Sequence, residues 1–182
     1  MVGLGNPGKR YVSTRHNVGF RFVKSVAKEW EIELRKRRCL SKTAMTERGG
    51  EQIFLALPQT YMNRSGEAVK RIVDSRGVGL DHLLVVYDDL DIALGEIRIR
   101  KSGGPGTHKG MSSIVNELQT VLFPRIRIGI GPLAKGMSAT EFVLSPFEEE
   151  ERYLLEEGMV KARSALGDIL EGNIEAVMAR FN

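Results

Sequence analysis

Cysteine is nearly missing: Cys39 stands alone. Neither an internal disulfide nor a cysteine-built zinc site can form, and the chain suits a reducing compartment. Hydrophobic runs are short. None approaches the roughly 20 apolar residues of a membrane-crossing helix, and Met1–Gly5 have neither the basic start nor the apolar stretch of a signal peptide. A cytoplasmic protein with no membrane partner is expected. His16, His82 and His108 are the only histidines, and they lack metal-ligand spacing. The sequence has no H-E-x-x-H, no G-x-S-x-G elbow to present a nucleophilic serine, and no G-x-x-x-x-G-K-[ST] phosphate loop. Repeats and low-complexity linkers are also missing, so residues 1–182 are expected to form one domain.

Positive charge is abundant and segregated. Residues 1–146 hold 23 Lys/Arg against 14 Asp/Glu, whereas 147–182 hold 4 against 9. A basic body with an acidic appendage suits a polyanionic partner on one face, although a mixed solvated surface has the same composition.

The periodicity alternates between helix and strand. Val18, Phe22, Val23, Val26, Ala27 and Trp30 recur at helical spacing, predicting a helix from about 16 to 30. Ile53–Leu57 and Leu83–Tyr87 are short apolar runs typical of strands buried on both faces, and between them Ala68, Val69, Ile72 and Val73 form a helical stripe that stops at Gly77. Ile97 and Ile99 alternate with Arg98 and Arg100; Ile126, Ile128 and Ile130 alternate with Arg125, Arg127 and Gly129. These are half-buried strands with a basic face. Met111, Ile114, Val115, Leu118 and Leu122 predict a helix between them, and Ser145-Pro146 ahead of Glu148–Glu151 predicts the start of a final one. The expected fold is α/β, with a twisted sheet flanked by helices.

Gly3-Leu4-Gly5-Asn6-Pro7-Gly8 matches G-x-G-x-x-G, but a dinucleotide site also needs a full strand before it and a helix opening at its glycines. Only Met1-Val2 precede it, and helical periodicity waits until Val18. The glycines read better as a tight turn presenting Asn6. For catalysis, a histidine acting as general base on water is the most economical mechanism left, with an acid to hold its second ring nitrogen. Asp88, Asp89 and Asp91 follow the buried run Leu83–Tyr87, at the carboxyl end of a predicted strand. Each of these residues also has an ordinary structural reading as a helix cap or turn former.

The blocks Val2–Gly8, Tyr11, Thr14–Gly19, Thr60–Gly66, Asp88–Asp91, Gly103–Gly110 and Arg127–Gly131, in that order, resemble the bacterial peptidyl-tRNA hydrolases over nearly the whole chain. The resemblance implies a single α/β domain with a mixed sheet and a cleft at its edge, acting as a carboxylic ester hydrolase on peptidyl-tRNA without metal or cofactor. It implies that His16 is the catalytic base, that Asp88 is its partner, and that Asn6 and Asn63 line the cleft, with Asn63 suited to donate to an oxyanion. Tyr11, Tyr61 and Met62 match positions that contact the tRNA end or the peptide. Arg98, Arg100, Lys101 and Arg127 are the candidates for phosphate contacts to the acceptor stem, and a monomer is expected.

The chain departs from the family pattern in two places. Fewer residues than usual precede Val2, so the first strand is expected to be short. Lys109 stands where members often carry asparagine in a His-Asn-Gly triplet. Relatives on this fold that act as RNA-splicing cofactors in plant organelles supply the alternative reading, an RNA-binding protein without catalysis; a turnover assay separates the two.

Overall fold

A computed structural model describes residues 1–182. In chain order the strands are β1 (Val2–Gly3), β2 (Lys36–Arg38), β3 (Ser41–Arg48), β4 (Glu51–Pro58), β5 (Val85–Ala93), β6 (Ile97–Arg100) and β7 (Arg125–Gly131). The helices are α1 (Val18–Glu29), α2 (Ser65–Arg76), α3 (Lys109–Leu118), α4 (Ala139–Leu144), α5 (Glu151–Leu170) and α6 (Ile174–Phe181). All seven strands join one mixed sheet in the order β2-β3-β4-β1-β5-β7-β6. Its centre, β4-β1-β5-β7, is parallel, and both flanks are antiparallel. Parallel strands lie buried between helical layers. Accordingly Leu55, Val86, Ile126 and Ile128 pack against α1, α5 and α6, while Val85, Tyr87 and Ala56 face α2 and α3. The α/β reading is borne out.

The predicted elements are largely present, with instructive shifts. The first helix does not begin at 16: Arg15–Asn17 form a separate 3-10 turn, and α1 opens at Val18. Gly77 closes α2 with φ of 61°, as the sequence suggests. The Leu83–Tyr87 run becomes β5, which starts at Val85 and extends through the aspartates to Ala93, because β7 offers parallel partners to Asp89 and, after an irregularity, again at Ala93. The helix drawn through Leu122 ends four residues earlier, at Leu118. Gln119 turns left-handed there, and Leu122 is left exposed.

Ser145 does not start the last helix. It terminates α4, which is capped at its other end by a reciprocal Ser138–Glu141 box, and α5 waits until Glu151. The sequence reading missed the hairpin β2–β3, which carries no clear apolar period, and the helix α6, although Ile174, Val177, Met178 and Phe181 stand at helical spacing there. The hairpin closes through Cys39 and Leu40, both left-handed.

One close approach sets up the functional end of the sheet. A Cβ on Gly19 would lie 2.3 Å from the Val86 carbonyl oxygen and 2.6 Å from the Leu4 nitrogen. Only glycine there lets the first turn of α1 rest directly on β1 and β5. The Phe20 amide donates to Leu4 O at 3.0 Å, tying helix to strand end. The turn immediately before α1, which carries His16, is thereby pressed against Asp88.

Candidate active site

Asp88 is the centre of the site. Its carboxylate is 2% exposed, with His16 Nδ1 2.9 Å from both its oxygens and His108 Nε2 3.0 Å from Oδ1. The histidines arrive from opposite faces of the sheet, His16 ahead of α1 and His108 as the N-cap of α3. Burial alone would push the Asp88 carboxyl up, but the two imidazoles outweigh it and hold the group well below the usual carboxylate range. It stays ionised at neutral pH.

The tautomers follow from one backbone amide. Met111 N–H donates to His108 Nδ1 at 3.1 Å, so that nitrogen must carry a lone pair, and in the neutral ring the proton sits on Nε2. His108 therefore donates to Asp88. An ionised Asp88 has no proton to give, so His16 Nδ1 must also be a donor, which leaves the lone pair of neutral His16 on Nε2. That nitrogen has no partner within the protein and belongs to a ring that lines the cleft. Met111 N–H thus orients His108, and His108 and His16 both donate to Asp88, an arrangement that leaves the His16 Nε2 lone pair free at the cleft.

Asn6 is fixed just as firmly. Its backbone N–H donates to Asn17 Oδ1 at 2.8 Å, and Asn17 Nδ2 donates back to Asn6 O at 2.9 Å. Its side-chain Oδ1 accepts from Met62 N–H at 2.8 Å, leaving the Asn6 NH₂ group as a donor with no partner in the protein. Asn63 lies in the 3-10 turn Met62–Arg64 and lines the same cleft, but it is exposed, and its carboxamide makes no hydrogen bond within the protein. The donor held in advance is Asn6, whereas the sequence reading gave the oxyanion to Asn63. Nor do the glycines of Gly3–Gly8 open a helix: Gly3 is in β1 and α1 starts beyond the 3-10 turn at 15–17, so no dinucleotide cradle exists.

These groups border a cleft of about 450 Å³ with two unlike wings. One wing holds Arg100, Arg125, Arg127, Lys109 and the loop Gly103–Gly106; the other holds Leu90 and, from α4, Ala139, Thr140, Val143 and Leu144. In register Arg98 faces Arg127 and Arg100 faces Arg125, so the basic strand face foreseen in the sequence exists. Its members differ in freedom. Arg125 is buried and spends its guanidinium on the carbonyls of Gly103, Val121 and Phe123; Arg127 is paired with Asp89 at 2.6 Å; Lys101 is paired with Glu175. Arg98, on the edge strand β6, turns back to Ile97 O and does not line the cleft. Lys109 is exposed at the first position of α3 and has no acidic partner. Tyr61 is exposed beside the cleft with Tyr11 edge-on to it, ring centroids 6.5 Å apart, and Met62 is buried with its side chain at the cleft floor.

His108 and Asn17 were missed as site residues. The spacing of histidines along the chain hides that His16 and His108 share one carboxylate. Asn17 looked like part of a helix. The ligand atoms of His16, Asp88 and His108 all lie within 4.8 Å of one another, close enough to surround a cation. A metal would have to displace both N–H protons and force His108 onto its other tautomer, setting its Nδ1–H against Met111 N–H. The arrangement is built as a hydrogen-bond relay.

A family model described as peptidyl-tRNA hydrolase matches residues 1–182. The chain belongs to the peptidyl-tRNA hydrolase family. It is 44% identical over 182 residues to the peptidyl-tRNA hydrolase of Thermoanaerobacter sp. (strain X514), covering 100% of this chain and 98% of that one. To that of Bacillus subtilis (strain 168) it is 42% identical over 182 residues, covering 100% and 97%. The crystal structure of the peptidyl-tRNA hydrolase from Acinetobacter baumannii superposes with a TM-score of 0.93 at 34% identity, covering 100% of this chain and 92% of the other. This peptidyl-tRNA hydrolase family member has no helix long and apolar enough to cross a membrane.

Proposed function

We propose that the protein hydrolyses the ester bond between a peptide, or an N-acyl-aminoacyl group, and the 3′ end of tRNA. The observation that carries this reading is the His16 ring held at Nδ1 by Asp88, with Nε2 unpartnered at the cleft, beside an Asn6 NH₂ already oriented by Met62. His16 removes a proton from water as the water attacks the ester carbonyl, and Asp88 stabilises the imidazolium that forms. The developing oxyanion accepts from Asn6, with Asn63 closing in as a second donor; such donors are typically worth about 2.7–4 kcal/mol each. His16 then returns the proton to the departing ribose oxygen.

Ester cleavage suits this equipment because an alkoxide leaves more readily than an amine, so no covalent nucleophile is required. The two wings divide the substrate. Arg100, Arg127 and Lys109 face the acceptor-stem phosphates, with Arg98 at the margin, while Tyr61 and Tyr11 offer ring faces to the unpaired end. The apolar wing receives the peptide. We assign this activity to residues 1–182 acting as one domain, a monomer in the cytoplasm. The test is release of N-acetyl-aminoacyl groups from tRNA by the purified protein. No release above the uncatalysed rate would sink the reading and leave an RNA-binding role.

A further inference from the structure

The mechanism makes no use of Arg15, the residue before His16, although it is among the most heavily engaged side chains in the molecule. The residue is 4% exposed, and its guanidinium forms a two-pronged pair with Glu151 at 2.9 and 2.6 Å, while Nε donates to Ser145 Oγ at 3.2 Å. It lies between two rings, 4.4 Å from the centre of Phe142 and 4.8 Å from that of Phe147. The backbone joins in, with Arg15 N–H on Ser145 O at 3.0 Å and a β-bridge from Thr14 to Pro146.

What this cluster holds in place is α4. That helix has six residues, far too few to be stable alone, and Phe142 is its only buried side chain. The segment before it, Pro132–Ser138, is exposed throughout. The position of α4, and so of the apolar wall formed by Val143 and Leu144, is therefore set by where Phe142 rests on the Arg15 guanidinium. An ion pair with its arginine buried and its glutamate half-buried is poorly suited to adding stability over an apolar contact of the same shape, but a two-pronged arginine pair fixes orientation.

Resting on the hydrolase reading above, we propose that Arg15, locked by Glu151, is a positioning residue for the acyl part of the substrate. It places the α4 wall at a fixed distance from His16, so that a long peptide seats along Val143 and Leu144 while its ester stays at the base. A short acyl group does not reach the wall and does not feel the clamp.

The experiment compares N-acetyl-aminoacyl-tRNA with tRNA carrying a long peptide, in wild type, Glu151→Gln and Arg15→Lys. Loss of wall contact acts on binding, so KM for the long substrate should rise roughly fivefold while kcat for both, and KM for the short one, stay within about twofold. Phe142→Leu keeps an apolar anchor but removes the ring on Arg15, and should give the same selective rise. Equal losses on both substrates, unchanged KM in folded variants, or unfolding of all three variants would overturn the proposal and make Arg15 a purely structural residue. Wild-type protein that released neither acyl group would instead refute the hydrolase reading, and the clamp's role with it.

Discussion

Replacing Asp88 with asparagine tests the hydrogen-bond network at the point where its two donors meet. Two N–H donors converge on the carboxylate, and an asparagine has only one oxygen to offer them. His108 cannot yield, because turning its lone pair toward position 88 would set Nδ1–H against Met111 N–H, 3.1 Å away. The amide oxygen should therefore settle at the Oδ1 position facing His108, which puts the NH₂ group opposite His16 Nδ1 at about the present 2.9 Å. His16 Nδ1 is equally near both positions, so it can keep donating to the amide oxygen only by bringing its N–H against the NH₂ group; turning the Nδ1 lone pair to that group relieves the clash and moves the proton to Nε2, the nitrogen that has to act as base.

Losing a charge-assisted hydrogen bond costs about 1.5–3 kcal/mol, and holding the working tautomer against an opposed donor adds about 1–3. The sum corresponds to a fall of roughly 10² to 10⁴ in the rate of the chemical step, a range whose upper end matches what a tautomer-setting aspartate contributes in a catalytic triad. Single-turnover release of the acyl group, with NMR of the ring nitrogens, reads both consequences. Adding His108→Ala frees the amide to rotate, so the double variant should be about tenfold more active than Asp88→Asn alone, a sign reversal that only coupled groups show. If Asp88→Asn kept more than about a tenth of the wild-type rate, or His16 stayed protonated on Nδ1, the coupling of His16 to His108 through Asp88 would be wrong.

Two further outcomes are expected. His16→Ala should lower kcat at least ~10²-fold while leaving tRNA affinity nearly unchanged, since the base acts in the transition state; a variant with more than about a tenth of wild-type kcat would remove His16 from the mechanism. Arg100→Gln and Lys109→Asn should each reduce the slope of log KM against log salt by about 1, with kcat for Lys109→Asn within about threefold of wild type, whereas Arg98→Gln, outside the cleft, should change the slope little. A slope equally insensitive to all three would make the basic wing ordinary surface.

Elements with a strong period and a plain stop were legible in the sequence. Isoleucines alternating with arginines mark β6 and β7 because each strand has one buried face, and Gly77 ends α2 because a left-handed cap is nearly free only for glycine. The elements that misled lack such a signal. Ser145-Pro146-Phe147-Glu148 carries every local cue of a helix start, yet the tertiary contacts of Arg15 claim Ser145 as the end of α4. Local propensity gave way to a contact made across 130 positions of the chain. The hairpin at Lys36–Arg48 was invisible for the opposite reason: it is an edge, exposed and charged, with few apolar residues to set a period.

The site was legible in its residue types and not in its directions. Asparagine, histidine and aspartate at these positions announce an acid–base centre, but which nitrogen bears a proton, and which asparagine faces the substrate as a donor, depend on backbone amides contributed from elsewhere. Met111 decides the first and Met62 the second. Both are buried methionines whose side chains do ordinary core packing, so nothing about them as residue types suggests a part in polarity. Their amides matter because each opens a helical turn, where N–H groups lack intrahelical partners and seek an acceptor. His108 and Asn6 satisfy those two orphan donors, and in doing so lose the freedom to present any face but one. The chemistry at His16 is therefore oriented by the start of α3 and by the turn ahead of α2, two elements whose own stability depends on the same hydrogen bonds. A variant that frayed either turn would scramble proton positions at the base before it unfolded the sheet.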